Sequence, residues 1–123
     1  MIVADSSYIV HGLINDETAL KDRPVVTLDL ALYEIMNAIW KHEAVLKDIR
    51  SSRRYLDFVF QLVSSSALLL IRPDRKIVEE AYALAVQKKL AFYDAAFVVL
   101  ARELQSDLKT ADEAQRRVFK SLQ

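Results

Sequence analysis

Cysteine is absent from this chain of 123 residues, and that absence excludes two kinds of structure. Without thiols the protein can form neither a disulfide framework nor a metal site made of thiolates. The short apolar N-terminus also lacks the basic segment and cleavage pattern of a secretion signal. These absences predict a protein of the cytoplasm.

The sequence has no excess charge of either sign and no membrane-length apolar run. It contains 17 Lys and Arg residues and 17 Asp and Glu residues, so net charge does not indicate a nucleic-acid-binding protein. Apolar residues make up 53% of the chain, yet no uncharged stretch approaches the roughly 20 residues needed to cross a bilayer. We expect one soluble domain over residues 1–123, with part of its apolar surface covered by a second copy.

Short strand-like segments alternate with longer helix-like segments along the chain. Alternation of this kind predicts an α/β fold, a three-layer α/β/α sandwich around a mostly parallel sheet. The run 67–71 fits a central strand, and the helix around 55–63 looks apolar around much of its circumference. Strands are predicted at 1–5, 25–27, 67–71 and 107–110. Helices are predicted after Asp5, over 28–46, 51–63 and 75–89, in the segment that contains Asp94 to about residue 105, and after Asp112.

One carboxylate, Asp94, lies in a run of residues that contains no other charge, from Leu90 to Ala101. An isolated buried carboxylate costs several kcal/mol unless it is hydrogen-bonded, paired or coordinated. Asp5 after the first strand and Glu34 within an apolar helix raise the same problem, and Asp112 follows the last strand. If these four acids converge, they form an acidic metal site.

Topology favours that convergence. In an open parallel sheet, ligands bind beyond the carboxyl ends of the strands, where Asp5 and Asp112 are expected. Glu34 and Asp94 would then lean over that edge from helices, with Asn37 one turn beyond Glu34. Oxygen ligands without Cys or His suit Mg²⁺ or Mn²⁺, and one or two such ions would activate water against a phosphodiester. The predicted reaction is hydrolysis of nucleic acid.

Structural roles compete with these catalytic ones. Asp5, Asp94 and Asp112 each stand where an acid could cap the N-terminus of a helix, and capping is compatible with ligation because a capping acid still exposes an oxygen. Ser7 and Thr110 are either hydroxyls that support the acids or turn formers. The two histidines, His11 and His42, are too isolated to form a triad with any serine, which favours a core or surface role.

Four motifs in order resemble the PIN-domain family, and more narrowly the VapC-type toxins of toxin–antitoxin pairs. They are Asp5-Ser6-Ser7 after an apolar strand, Tyr33-Glu34-Ile35-Met36-Asn37, the segment from Tyr93 to Ala101, and Leu108-Lys109-Thr110-Ala111-Asp112. The resemblance spans nearly the whole chain. The segment before Thr110 is more polar than the apolar strand usual in the family.

The resemblance implies an endoribonuclease dependent on Mg²⁺ or Mn²⁺, usually dimeric and inhibited by a small antitoxin that covers the acidic pocket. It places the family's acids at Asp5, Glu34, Asp94 and Asp112. Supporting polar groups would be Ser7, Asn37 and Thr110. An alternative keeps the fold but makes the protein an interaction module with little or no nuclease activity.

Overall fold

Four short parallel strands form the centre of the computed structural model, which describes residues 1–123. Seven α-helices and one π-helical turn surround them, and none of the helices is long and apolar enough to span a membrane. The strands are β1 (Ile2–Ala4), β2 (Val25–Leu28), β3 (Leu68–Ile71) and β4 (Asp107–Lys109). The helices are α1 (Ser6–Asn15), α2 (Glu17–Lys21), α3 (Leu30–Lys41), α4 (Arg53–Ser64), α5 (Arg75–Lys88), α6 (Phe92–Glu103) and α7 (Glu113–Ser121), with the π-helical turn at His42–Leu46.

The strand order β3-β2-β1-β4 explains how helices come to cover both faces of the sheet. The chain steps from β1 to β2 to β3 in one direction and then returns across the sheet to β4. Because such crossovers are right-handed, the two directions place their helices on opposite faces. Helices α1, α3 and α4 contact β1, β2 and β3, and α6 contacts β1 and β4. The predicted α/β/α architecture is confirmed, with all four strands parallel.

Strands β1 and β4 are neighbours although they lie at opposite ends of the sequence. Ile2, Val3 and Ala4 pair in register with the residues of β4, and the Asp5 N–H donates to the Lys109 carbonyl at 3.2 Å. The chain leaves β1 toward β2, on the side away from β4, so a crevice opens between these two strands at their carboxyl ends. The residues that follow β1 and β4 meet there.

Helix α6 is the central helix of the fold. Every residue from Ala95 to Ala101 is buried, because α6 packs against the sheet, α5 and α7 together. A helix surrounded on all sides has no polar face, which explains the uncharged run noted in the sequence. Asp94 marks the point where this buried helix reaches the crevice.

Three sequence expectations are wrong in detail. Strand β3, expected in the centre, lies at the edge of the sheet, and Leu69 is 40% exposed. Helix α4 is amphipathic rather than apolar all round, because Asp57 and Gln61 are exposed and Phe58 is buried. The long helix begins at Leu30, since Leu28 belongs to β2, and it changes to a π-helical turn at His42.

At the other edge of the sheet, side chains bind one backbone group of β4 and one of the residue that follows it. The Asp107 carboxylate accepts the Leu108 N–H at 2.9 Å, and the Arg116 guanidinium donates to the Thr110 carbonyl at 2.6 Å. The Leu108 N–H is thereby unavailable to an added strand, which disfavours strand pairing at this edge.

Candidate active site

Asp5 connects the end of β1 to the start of α1. Its backbone is extended, its side chain caps α1 by accepting the Tyr8 N–H at 3.1 Å, and only 7% of the residue is exposed. The same oxygen, Oδ1, accepts the Ser7 hydroxyl at 2.6 Å, and Oδ2 accepts the Thr110 hydroxyl. Three donors thus fix a nearly buried carboxylate, which removes the penalty of burying it unpaired.

The hydroxyls of Ser7 and Thr110 tie the segment that follows β1 to the segment that follows β4. Thr110 Oγ1 donates to Asp5 and also accepts the Asp112 N–H at 2.9 Å. Ser7 Oγ likewise donates to Asp5 and accepts the Ala111 N–H at 3.0 Å. Each hydroxyl donates a hydrogen bond to the Asp5 carboxylate and accepts one from a backbone N–H, so both side chains hold the carboxylate in place.

Asp112 caps the last helix through the bond from the Gln115 N–H to its Oδ1 at 2.7 Å. Gln115 is completely buried, and its side-chain amide donates to the Asp94 carbonyl oxygen at 3.0 Å. One residue therefore contacts both Asp94 and Asp112. Sequence reasoning missed Gln115, although its place four residues before the buried Phe119 is a signal for an inward-facing position.

Asp94 lies in the first turn of α6 and does not cap it. The N-cap position belongs to Ala91, which has no capping side chain, so the cap interpretation is wrong for this acid. The carboxyl is half-buried, and burial raises its pKa above the ordinary value of 3.8. The negative charges of Asp112, Asp5 and Glu34 raise the pKa further, in that order. Three other acids from three other elements are thus close enough to perturb Asp94.

Glu34 projects from the middle of α3 and is also half-buried. Burial raises its pKa above the ordinary value of 4.5, the Ser6 hydroxyl lowers it by hydrogen bonding, and the charge of Asp5 raises it. Ser6 was not singled out from the sequence. Asn37, one turn further along α3, is exposed and forms no hydrogen bond with any of the four acids.

The four carboxylates share an electrostatic environment without forming a ready-made metal cluster. No group of three or more His, Asp or Glu side chains has the arrangement of a metal site. Both oxygens of Asp5 accept hydrogen bonds from protein hydroxyls. The donor set consists only of carboxylate oxygens, and like charges brought together favour a hard divalent cation. The residue types fit Mg²⁺ or Mn²⁺.

Comparison with known proteins decides the family. A family model described as PIN domain matches residues 2–120, which is nearly the whole chain. The chain belongs to the PIN domain family. The resemblance drawn from the four motifs is therefore confirmed.

Two related proteins agree with this assignment to the PIN domains. The chain is 32% identical over 130 residues to Ribonuclease VapC3 of Pyrobaculum aerophilum, covering 98% of this chain and 96% of that protein. This similarity agrees with the narrower VapC-type resemblance. The crystal structure of PAE2754 from the same organism matches with a TM-score of 0.73 at 21% identity, covering 98% of this chain and 92% of the other. That likeness supports the PIN fold alone.

Proposed function

We propose that this PIN domain is an endoribonuclease that requires Mg²⁺ or Mn²⁺ and acts as the toxin of a type II toxin–antitoxin pair. The observation that carries the proposal is the gathering of four acids at one crevice: Asp5 and Asp112 follow β1 and β4, and Asp94 has its pKa raised by burial and then by the charges of Asp112, Asp5 and Glu34. Four acids gathered in one crevice are destabilised by one another unless a cation joins them. The sequence similarity to a protein named as a ribonuclease supports the same reaction.

The four acids have different surroundings and therefore different proposed roles. Asp5 and Asp94 would hold the metal. Donors from α1 and from Thr110 after β4 fix Asp5, and the charges of the other three acids act on Asp94. Glu34 and Asp112 would complete or tune the ligand set. A divalent ion held there would polarise a phosphodiester and supply a nucleophile near neutral pH. Ser7 and Thr110 orient Asp5, and Asn37 would act on the substrate side.

The toxin role adds two protein partners and a compartment. A small antitoxin would cover the acidic crevice until the toxin is released, and the reaction would take place in the cytoplasm. Self-association is supported by exposed apolar side chains on successive turns of α5, where Val78, Tyr82 and Val86 are 39%, 65% and 65% exposed. We expect a homodimer by light scattering, which Tyr82→Glu weakens. A wild-type protein that stays monomeric at all concentrations would contradict this part.

The central experiment measures cleavage of a mixed pool of structured RNA by the purified protein, in Mg²⁺ or Mn²⁺ and in EDTA. Asp94→Asn is the test variant, and Asp57→Asn is the matched control because Asp57 is an exposed acid on α4. We expect metal-dependent cutting by the wild type and the control, and none by Asp94→Asn. Cutting that persists in EDTA, or equal cutting by both variants, would rule out the assigned site.

A further inference from the structure

A groove with a volume of about 430 Å³ begins at the acidic crevice and follows the contact between α1 and α3. It is lined by Glu34 and Ala38 of α3 and then by His42, the first residue of the π-helical turn, at successive helical turns. Eight residues of helix span about 12 Å at a rise of about 1.5 Å per residue. The groove thus leads from a proposed catalytic acid to a histidine two turns away.

The chemistry of the groove changes along its length. Near the acids it is lined by Ser6, Ser7 and Glu34. Apolar side chains of Val10 and Ile14 line it further along α1, and both histidines of the chain, His11 and His42, line it as well. Apolar walls with a few placed polar groups are typical of sites for flat, partly polar ligands.

His11 presents a hydrogen-bond donor. The Asn15 amide nitrogen donates to the His11 carbonyl at 3.2 Å, which fixes the orientation of the amide because a carbonyl can only accept. The same nitrogen lies 3.2 Å from His11 Nδ1, so Nδ1 is the acceptor in that contact. A neutral ring whose Nδ1 accepts carries its proton on Nε2.

His42 presents the opposite group. Its Nδ1 lies 2.8 Å and 3.0 Å from the two carboxylate oxygens of Asp48, which can only accept, so Nδ1 carries the proton. In the neutral ring Nε2 is then a free acceptor. The contact is made possible by the π-helical turn, which ends at Lys47 in the left-handed conformation and returns Asp48 to His42. The turn thus fixes the imidazole of a residue that lines the groove.

We propose that this groove binds a nucleobase of single-stranded RNA next to the cleavage position, with His11 and His42 reading its edge. A base edge presents adjacent donor and acceptor atoms, which the two imidazoles complement, and apolar walls accommodate the ring faces. RNA is favoured as the occupant because Glu34, Ser6 and Ser7 line this groove beside the acids that would cut the strand. The inference deepens the proposed ribonuclease function and rests on it for the choice of ligand.

Because the chain has only two histidines, proton NMR of an untagged protein can observe this groove directly. The Hε1 signals of His11 and His42 are assigned with His11→Gln and His42→Gln. The probes are the hexaribonucleotides A6, C6 and U6, added to Asp94→Asn and to wild type in EDTA so that nothing is cut. We expect both signals to shift saturably, with at least a twofold difference in affinity between hexamers.

Variants separate base reading from a structural effect. His42→Phe keeps an aromatic ring but removes both nitrogens. It should lower the affinity for the preferred hexamer about fivefold, as expected for one lost hydrogen bond. Trp40→Phe is the control because Trp40 is an exposed aromatic residue of α3 outside the groove. Equal weakening of all three hexamers by His42→Phe would contradict base reading.

Three other results would overturn the groove assignment. If fluorescence anisotropy shows RNA binding but neither histidine signal shifts, the RNA binds outside the groove. If no RNA binding is detected, RNA is not the ligand of the groove. Histidine signals that move on dilution without RNA would assign the groove to a second copy of the chain. Cleavage by wild type with Mn²⁺ is measured separately, so a missing nuclease activity with intact histidine shifts would reject the enzyme and keep the groove.

Discussion

Gln115 Nε2 lies 3.0 Å from the main-chain oxygen of Asp94. This completely buried amide therefore joins α7 to α6, the helix that carries Asp94. The backbone N–H of the same residue is bound by Asp112. Gln115 therefore fixes how far apart these two acids stand. Its Oε1 has no hydrogen-bond partner, which is a cost that an apolar side chain of similar size would not carry.

Gln115→Met should reduce RNA cleavage by about 10- to 100-fold, the range typical of groups that orient metal ligands. The free energy of unfolding should change by less than about 1 kcal/mol, because the lost hydrogen bond is offset by removal of the unpaired oxygen. Cleavage rates and urea unfolding are measured together. Lys120→Met, on an exposed position of the same helix, is the control, and equal rates in the two variants would contradict the role.

Thr110→Val keeps the shape of the side chain and removes the hydroxyl between Asp5 and Asp112. Asp5 loses a donor and the Asp112 N–H loses its acceptor, so we expect the free energy of unfolding to fall by about 2 kcal/mol. Thr18→Val is the matched control, since the Thr18 hydroxyl donates to Asp16 at 2.6 Å on the surface. The control should change stability by less than about 0.5 kcal/mol in urea unfolding, and a loss as large as that of Thr110→Val would refute the comparison.

The pH dependence of stability follows from the pKa values of Asp94 and Glu34, which are raised above their ordinary values of 3.8 and 4.5. A raised folded-state pKa contributes stability below the unfolded pKa, and this is lost as the pH rises through the folded pKa. Without metal, Asp94→Asn should therefore be more stable than wild type at pH 7, by less than about 1 kcal/mol because solvent screens a half-exposed group.

Thermal unfolding in EDTA between pH 3 and pH 7 checks this expectation. The advantage of Asp94→Asn should disappear as the pH falls below 3.8, where the wild-type carboxyl is protonated in both states. Asp57→Asn, which removes an exposed acid, serves as the reference for the loss of one charge. A constant difference between wild type and Asp94→Asn at every pH would contradict the assigned cause.

Mn²⁺ should stabilise the wild-type protein, because a ligand that binds only the folded state adds free energy of unfolding. At a concentration 100 times the dissociation constant, the gain is about 2.7 kcal/mol. Calorimetry or thermal melting with increasing Mn²⁺ would measure it without reference to RNA. Asp5→Asn and Asp94→Asn should lose most of the gain and Asp57→Asn should retain it. Identical shifts in all four proteins would indicate binding outside the crevice.

Lys89 ends α5 in the left-handed conformation, with φ 53° and ψ 44°. A residue with a Cβ is strained there by about 1–2 kcal/mol, whereas glycine adopts this conformation freely. Glycine also increases the conformational entropy of the unfolded chain, which offsets part of the relieved strain. Lys89→Gly should therefore raise the free energy of unfolding by about 0.5–1 kcal/mol. Lys88→Gly, one residue earlier within the helix, should lower it by a similar amount. Opposite signs in chemical denaturation are the expected result.

The fold class and strand positions were predictable because they follow from local pattern. Apolar β-branched residues mark β1 and β2, and Asp5 and Asp112 directly follow strands whose carboxyl ends must meet in a parallel sheet. The place of β3 was not predictable in this way. The sequence of an apolar run such as 68–71 does not distinguish a central strand from an edge strand. The packing of the helices leaves Leu69 exposed.

The remaining errors arise from tertiary contacts that the sequence does not display. Asp94 looked like a helix cap, but Lys89 turns the chain back at the end of α5, so α6 begins at Phe92 before Asp94 is reached. Gln115 looked like one polar residue of a charged helix. Its burial depends on α7 lying against α6, which is a contact between segments about 20 residues apart. The catalytic roles of the four acids stay predictions.

The bond between Thr110 and Asp5 joins positions 105 residues apart in the sequence. During synthesis the first strand and its acid leave the ribosome long before β4 exists, and Asp5 then lacks its hydroxyl donor from Thr110. The crevice is completed only when the C-terminal segment has emerged and paired with β1. The acidic crevice is therefore among the last parts of this domain to form when the chain is synthesised from its N-terminus.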